Sequence, residues 1–150
     1  MYDDLFAVLA GLFLFIGLIS LVALVLYVVC YWKIFTKAGE EGWKVLIPFY
    51  NMYIMFKIAW ETKWFFITLA LAFVGGFLSG LGFAAFSLLF TLAASVIGII
   101  FSVQLARAFG KSDGFAVGLI FLSFIFYPIL AFGSAQYERG KVQQVENPTP

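Results

Sequence analysis

The sequence has no histidine and one cysteine, Cys30. A zinc site, a Cys–His nucleophile and a Ser–His–Asp triad all lack their essential side chains, as does iron–sulfur ligation by this chain alone. One cysteine cannot close an internal disulfide, so the redox compartment is not readable. Charge is also scarce. Only 11% of the 150 residues are charged, against about a quarter in soluble domains. The formal net charge of +1 supplies no field of the kind nucleic acid binding needs. No cofactor, metal or nucleic acid partner is expected. What fills the chain is apolar: 64% of residues are hydrophobic, and 20 are Phe. That composition suits lipid as the solvent, and the length suits one domain.

Charge-free stretches place the spans. Leu5 to Tyr31 carries no charge and is long enough for one crossing of about 20 residues. Asp3 and Asp4 precede it, no small-residue cleavage site follows, and Cys30 lies in a poor lipoprotein context, so it reads as a retained helix. Trp64 to Ala106 is 43 residues without a charge. One helix of that length would reach about 65 Å, twice the hydrocarbon thickness. It must fold back, and Gly75, Gly76, Ser79, Gly80 and Gly82 mark the turn. Gly114 to Tyr137 is a further span, with Pro128 as a kink that a membrane bundle tolerates. The expected fold is an all-α, four-helix integral membrane bundle in one domain over 1–137, with spans near 5–31, 62–80, 84–106 and 114–137. A disordered tail is expected over 138–150.

With four spans, loops 1 and 3 share a side and hold seven basic residues, Lys33, Lys37, Lys44, Lys57, Lys63, Arg107 and Lys111, against two, Arg139 and Lys141, on the other. Basic loops stay inside. The expectation is a protein of the cell's inner or plasma membrane with both termini outside and loops 1 and 3 cytoplasmic. A crossing by residues 43–61 would leave five basic residues inside and three outside, nearly erasing the bias. The uncharged core of that segment, Val45 to Phe56, is also only 12 residues, too short to span. It is expected instead as an interfacial or re-entrant amphipathic segment between the first and second helices. Pro48 would sit in its first turn. Tyr50, Tyr53, Lys57 and Glu61 would form its polar stripe, with Lys57 and Glu61 paired at i, i+4. All four tryptophans, Trp32, Trp43, Trp60 and Trp64, fall in or beside it, at the headgroup level they favour.

Two blocks carry a resemblance: WKIFTKAGEEGWKVLIPFYNMYIMFKI over 32–58 and LARAFGKSDGFAVGLIFLSFIFYPILAFG over 105–133. The chain resembles a domain-of-unknown-function family of small bacterial and archaeal membrane proteins sharing a "GW…LIP.YN.Y" block and a late "FGK…FI.YPIL.FG" block. The resemblance implies a four-span membrane protein and no chemistry. Some members bear a signal-peptidase label. A Ser–Lys peptidase needs a neutral lysine beside a serine. No lysine lies in an expected span, and Lys57, the one in a greasy context, has no serine near it in sequence.

Four groups of residues are singled out. Lys33, Lys37, Lys44, Arg107 and Lys111 could meet anionic lipid headgroups, or simply anchor the loops; Asp113 lies among them. Asn51 needs a partner if buried, and a turn-fixing role outweighs a ligand contact. Ser87, Thr91, Ser95, Gly98 and Ser102 recur at helical spacing as a face for helix packing, with a polar permeation path as the sharper alternative. Gly114 and Gly118 form a GxxxG pair, again read as packing. The reading that results is a non-enzymatic membrane protein whose basic, Trp-rich cap meets anionic lipid headgroups, a membrane-protein partner or a second copy. A small oligomeric channel or transporter is the alternative, and a membrane-embedded peptidase or lipid-processing enzyme ranks third.

Overall fold

A computed structural model describes residues 2–139. The remainder of the expected tail, 140–150, lies outside the described residues. Among the described residues every regular element is helical. The order is α1 (Tyr2–Lys37), a short 3-10 helix (Gly42–Leu46), α2 (Tyr50–Ala59), α3 (Thr62–Gly80), α4 (Ala84–Ala108), α5 (Asp113–Phe121) and α6 (Ser123–Phe132). Three helices are long and apolar enough to cross a membrane: α1 from Asp4, α3 and α4.

Helix ends follow local sequence rules. α1 stops at Gly39, whose φ of 81° is the left-handed conformation glycine adopts without penalty. The Glu40 N–H then reaches back to the Phe35 carbonyl at 2.9 Å, closing a Schellman-type cap. α4 ends in the same way at Gly110, φ 65°, with the Lys111 N–H on the Ala106 carbonyl at 2.9 Å. "AGE" and "FGK" are thus the same stop signal, and each sets a charged residue on the end of a long helix. α3 and α4 form an antiparallel hairpin turning at Leu81–Phe83. They approach closely at Gly75, where a Cβ would stand 3.1 Å from that of Phe90.

The segment expected as a fourth crossing is not one helix. It breaks at Leu122 (φ −128°, ψ 42°) into α5 and α6. α5 descends alongside α4, so that Leu119 and Ile120 lie beside Ser95, Gly98, Ile99 and Ser102. α6 returns alongside α1, from Ser123 and Phe124 near Ala23 and Leu26 up to Gly133, whose carbonyl accepts from Lys37. Both ends of the 113–132 segment therefore lie at the same end of the bundle. Gly118 is what lets it close: the Phe126 ring packs where a side chain at 118 would stand. Pro128 lies within α6, and it is Leu122, not Pro128, that marks the break.

The core gathers at that one end. Its largest fully buried side chains are Phe35, Phe109, Ile34, Ile54, Leu105 and Leu130, drawn from the end of α1, from α2, from the end of α4 and its cap, and from α6. The long helices project from this packed cap with mostly exposed flanks, as Leu5 to Leu26 of α1 illustrate. A lipid-facing surface has that character.

The 43–61 segment divides in two. Trp43, Leu46, Phe49 and Met52 are exposed, whereas Ile54, Met55, Phe56, Ile58 and Ala59 are buried in the cap. Pro48 lies ahead of α2 rather than in its first turn. Phe49, between them, adopts φ 63°, and the Tyr50 N–H bonds to the Pro48 carbonyl at 2.7 Å in a γ-turn. The expected Lys57–Glu61 pair does not form. Trp60 leaves the helix (φ −147°, ψ −117°), so the helical spacing ends before Glu61, which pairs with Lys63 instead.

Candidate functional site

Lys141 lies outside the described range. The other eight of the chain's nine basic residues all lie at the packed end, on the C-terminal part of α1, in the loop and helix that follow, at the start of α3, at the end of α4 and in the segments flanking the α5–α6 hairpin. Arg139, expected on the opposite side, donates from Nη1 to the carbonyls of Lys57 and Ile58 at 3.1 Å each. Tyr137 Oη donates to Ile58 O at 3.2 Å, and the Glu138 N–H to Ala108 O at 2.8 Å. A cation and a hydroxyl on the terminal carbonyls of α2 satisfy groups that a helix end leaves open. These contacts fix the start of the expected tail to the cap.

The basic residues fall into three settings. In the first, Glu40 holds Lys44 at 2.7 Å and Lys57 at 2.6 Å. Its side chain is only 13% exposed. Hydrogen bonds from Lys44, then Lys57, hold its carboxyl below the usual range, and the same bonds raise both lysines. Lys57 is thereby kept charged, the opposite of what a lysine general base requires. In the second setting, Arg107 pairs with Asp113 through two bonds of 2.9 and 3.0 Å, and this keeps the Asp113 carboxyl low. In the third setting Lys33, Lys37 and Lys111 have no carboxylate partner among the described residues. Lys37 Nζ donates to the Leu130 and Gly133 carbonyls at 2.7 and 2.8 Å, capping α6. Lys33 Nζ stands 5.1 Å from the centre of the Phe132 ring, and Lys111 Nζ 5.9 Å from that of Phe115. Burial is the first influence against the Lys37 charge, and repulsion from Lys33 and Lys111 adds to it.

Of the five cations singled out in the sequence, Lys44 and Arg107 are thus neutralised locally, while Lys33, Lys37 and Lys111 are brought together. Asn51 Nδ2 donates to the Val45 carbonyl at 3.2 Å, tying the 3-10 helix to α2. Tyr50 and Tyr53 stack with ring centres 5.8 Å apart, and Trp60 and Trp64 at 4.4 Å. Trp43 is half exposed. The small face of α4 is only partly used. Thr91, Ser95 and Gly98 stay exposed, and the Thr91, Ser95 and Ser102 hydroxyls bond back to their own helix at i−4. α3 packs instead on the neighbouring strip that includes Phe90, with Ser87 at its edge. Gly118 faces Phe126 while Gly114 meets only Ser112, so the GxxxG pair has no common partner.

The sequence reading gave no role to Glu40 or Tyr137 and placed Arg139 on the opposite side. The signal for Glu40 was its place directly after a helix-stopping glycine, among three lysines. Glu40→Gln is expected to lower the melting temperature by a few degrees at neutral pH. Because the folded-state pKa of Glu40 is depressed, its contribution is present above the ordinary value of 4.5 and fades as pH falls through the lower folded value. Wild type and variant should therefore converge in acid. Thermal unfolding in micelles from pH 7 to pH 3 checks this, and a pH-independent gap would contradict it.

Among the described residues the chain is all-helical, with three helices long and apolar enough to cross a membrane and an apolar core gathered at one end among the basic residues, an architecture compatible with a membrane protein. Residues 43–139 match the family of unknown function DUF5684, and the chain belongs to that family. The match takes in the 3-10 helix, α2 through α6 and the docked Arg139, and begins after α1. Neither curated proteins nor solved structures give a match.

Proposed function

We propose that this protein resides in the cell membrane with α1, α3 and α4 as crossings, the α5–α6 hairpin re-entering from the cytoplasmic side, and the basic end engaging anionic lipid headgroups. The observation that carries this reading is the Lys33, Lys37 and Lys111 cluster. None of the three forms an ion pair with a carboxylate among the described residues, the charges of Lys33 and Lys111 act on Lys37, and all three lie at the end that holds every described basic residue. Protein charges left uncompensated in this way call for an external anion, and a cytoplasmic leaflet offers anionic headgroups in excess. Among the described residues, basic side chains at one end and none at the other also match the rule that such residues remain inside. The exposed Trp43, Leu46, Phe49 and Met52 would then rest in the interface, where aromatic side chains favour the headgroup level.

The test leaves Lys37 in place, because it caps α6. Purified wild type, exposed to mixed phosphatidylglycerol and phosphatidylcholine, should retain the anionic lipid preferentially. Lys33→Gln with Lys111→Gln removes two charges worth about 1 kcal/mol each near a membrane surface, which should reduce that preference roughly 30-fold. An unchanged preference would reject the reading.

A further inference from the structure

Between α1 and α6 runs a groove of about 580 Å³ lined by Ala23, Leu26, Tyr27, Cys30, Tyr127 and Pro128, among others. This volume is within the ~300–1,000 Å³ typical of ligand sites. Its walls are almost wholly apolar, and it lies beside the stretch of α1 whose other flanks are exposed. Three tyrosines form its inner edge: Tyr27 and Tyr31 have ring centres 4.2 Å apart, and Tyr31 and Tyr127 5.3 Å. The groove is thus aromatic on one side and open on the other.

Its register with the cation cluster is what gives it meaning. On α1, Leu26, Cys30, Lys33 and Lys37 follow at intervals of four, three and four residues, so they share one stripe of the helix. At 1.5 Å per residue, Lys33 stands about 4.5 Å above Cys30 and about 10 Å above Leu26. On α6 the same progression runs from Tyr127 in the groove to Phe132, under the Lys33 ammonium, and Gly133, bonded to Lys37. Lys33 and Lys37, two of the three cations without a carboxylate partner among the described residues, therefore stand above the groove on the same stripe of α1. A ligand suited to both parts carries an anionic group with an apolar chain attached directly beneath it.

We infer that the α1–α6 groove is a specific site for one anionic phospholipid, with its phosphate at Lys33 and Lys37, reached also by Lys111, and an acyl chain lying along Leu26, Cys30 and Tyr127. This rests on the headgroup reading above and adds to it a single defined seat for the chain. The two cations supply the charge complementarity, and the groove supplies chain burial, where even two methylenes are worth roughly tenfold in affinity.

Ala23→Trp and, separately, Leu26→Trp would fill the groove without touching any lysine. Both positions are exposed on the helix surface, so the cap core is left intact, and an unchanged melting temperature would verify this. Native mass spectrometry of protein equilibrated with equal phosphatidylglycerol and phosphatidylcholine provides the readout. The wild type should retain one phosphatidylglycerol per chain, and each tryptophan variant should lose at least about tenfold of that occupancy. If both tryptophan variants hold the lipid as the wild type does, while Lys33→Gln with Lys111→Gln loses it, the groove proposal is overturned and the headgroup reading stands. If the wild type shows no preference for the anionic lipid, both fall together.

Discussion

A fluorescent protein fused to the C-terminus is expected to be bright, and alkaline phosphatase at the same position silent. The same result is expected for fusions in the loop at 38–41. At the C-terminus this inverts what four crossings imply; at 38–41 the two arrangements agree. The reason is the chain's return after Leu122. A helix continuing through 114–137 would carry Arg139 to the far end of the bundle. Instead Lys37 binds the carbonyls that end α6, Glu138 pairs with Ala108, and Arg139 caps α2. Seven basic residues against two becomes eight against none among the described residues, a much stronger orientation signal. An active C-terminal phosphatase would sink the re-entrant arrangement. The outcome is close to all-or-none, because a reporter folds on one side of the membrane only.

The second large effect is expected at Gly118. It is buried, and the Phe126 ring occupies the space a side chain would need. Gly118→Leu should therefore wedge α5 from α6 and destabilise the protein by about 3 kcal/mol, the upper part of the range for overpacking. Adding Phe126→Ala to the same chain vacates that space and should recover most of the loss. Denaturation in micelles of the two single variants and the double variant completes the cycle. If Gly118→Leu alone is tolerated, or if the two changes simply add, the hairpin is not closed by this contact. Loss of the hairpin also predicts that Gly118→Leu weakens the burial of Arg139 contacts, visible as faster proteolysis after Arg139.

Both predictions bear on how much of this protein is legible before folding. Helix stops at Gly39 and Gly110, the fold-back near Gly80 and Gly82, and the long apolar runs all follow from local backbone preference and from the length of chain a membrane accommodates. Those rules act within a few residues or along a single segment, so the sequence carries them openly. The sequence likewise flagged Lys33, Lys37 and Lys111 as basic and Asn51 as needing a partner.

What it could not sort was which cations are already spent. Lys44 and Lys57 meet at Glu40 only because the Gly39 cap turns that carboxylate back over α2, and Arg107 is matched by Asp113 only because α5 starts where it does. The same holds for 43–61, which reads as uniformly amphipathic. Whether Phe56 sinks into lipid or into protein depends on Phe65 and Phe101, which lie on other helices. Composition and periodicity alone determined a helical chain with segments long and apolar enough to cross a membrane and most of its basic residues on one side. Only the tertiary structure decided that 113–132 turns back on itself, because that turn depends on Phe126 finding the empty space at Gly118, a contact between residues whose fit no local rule encodes.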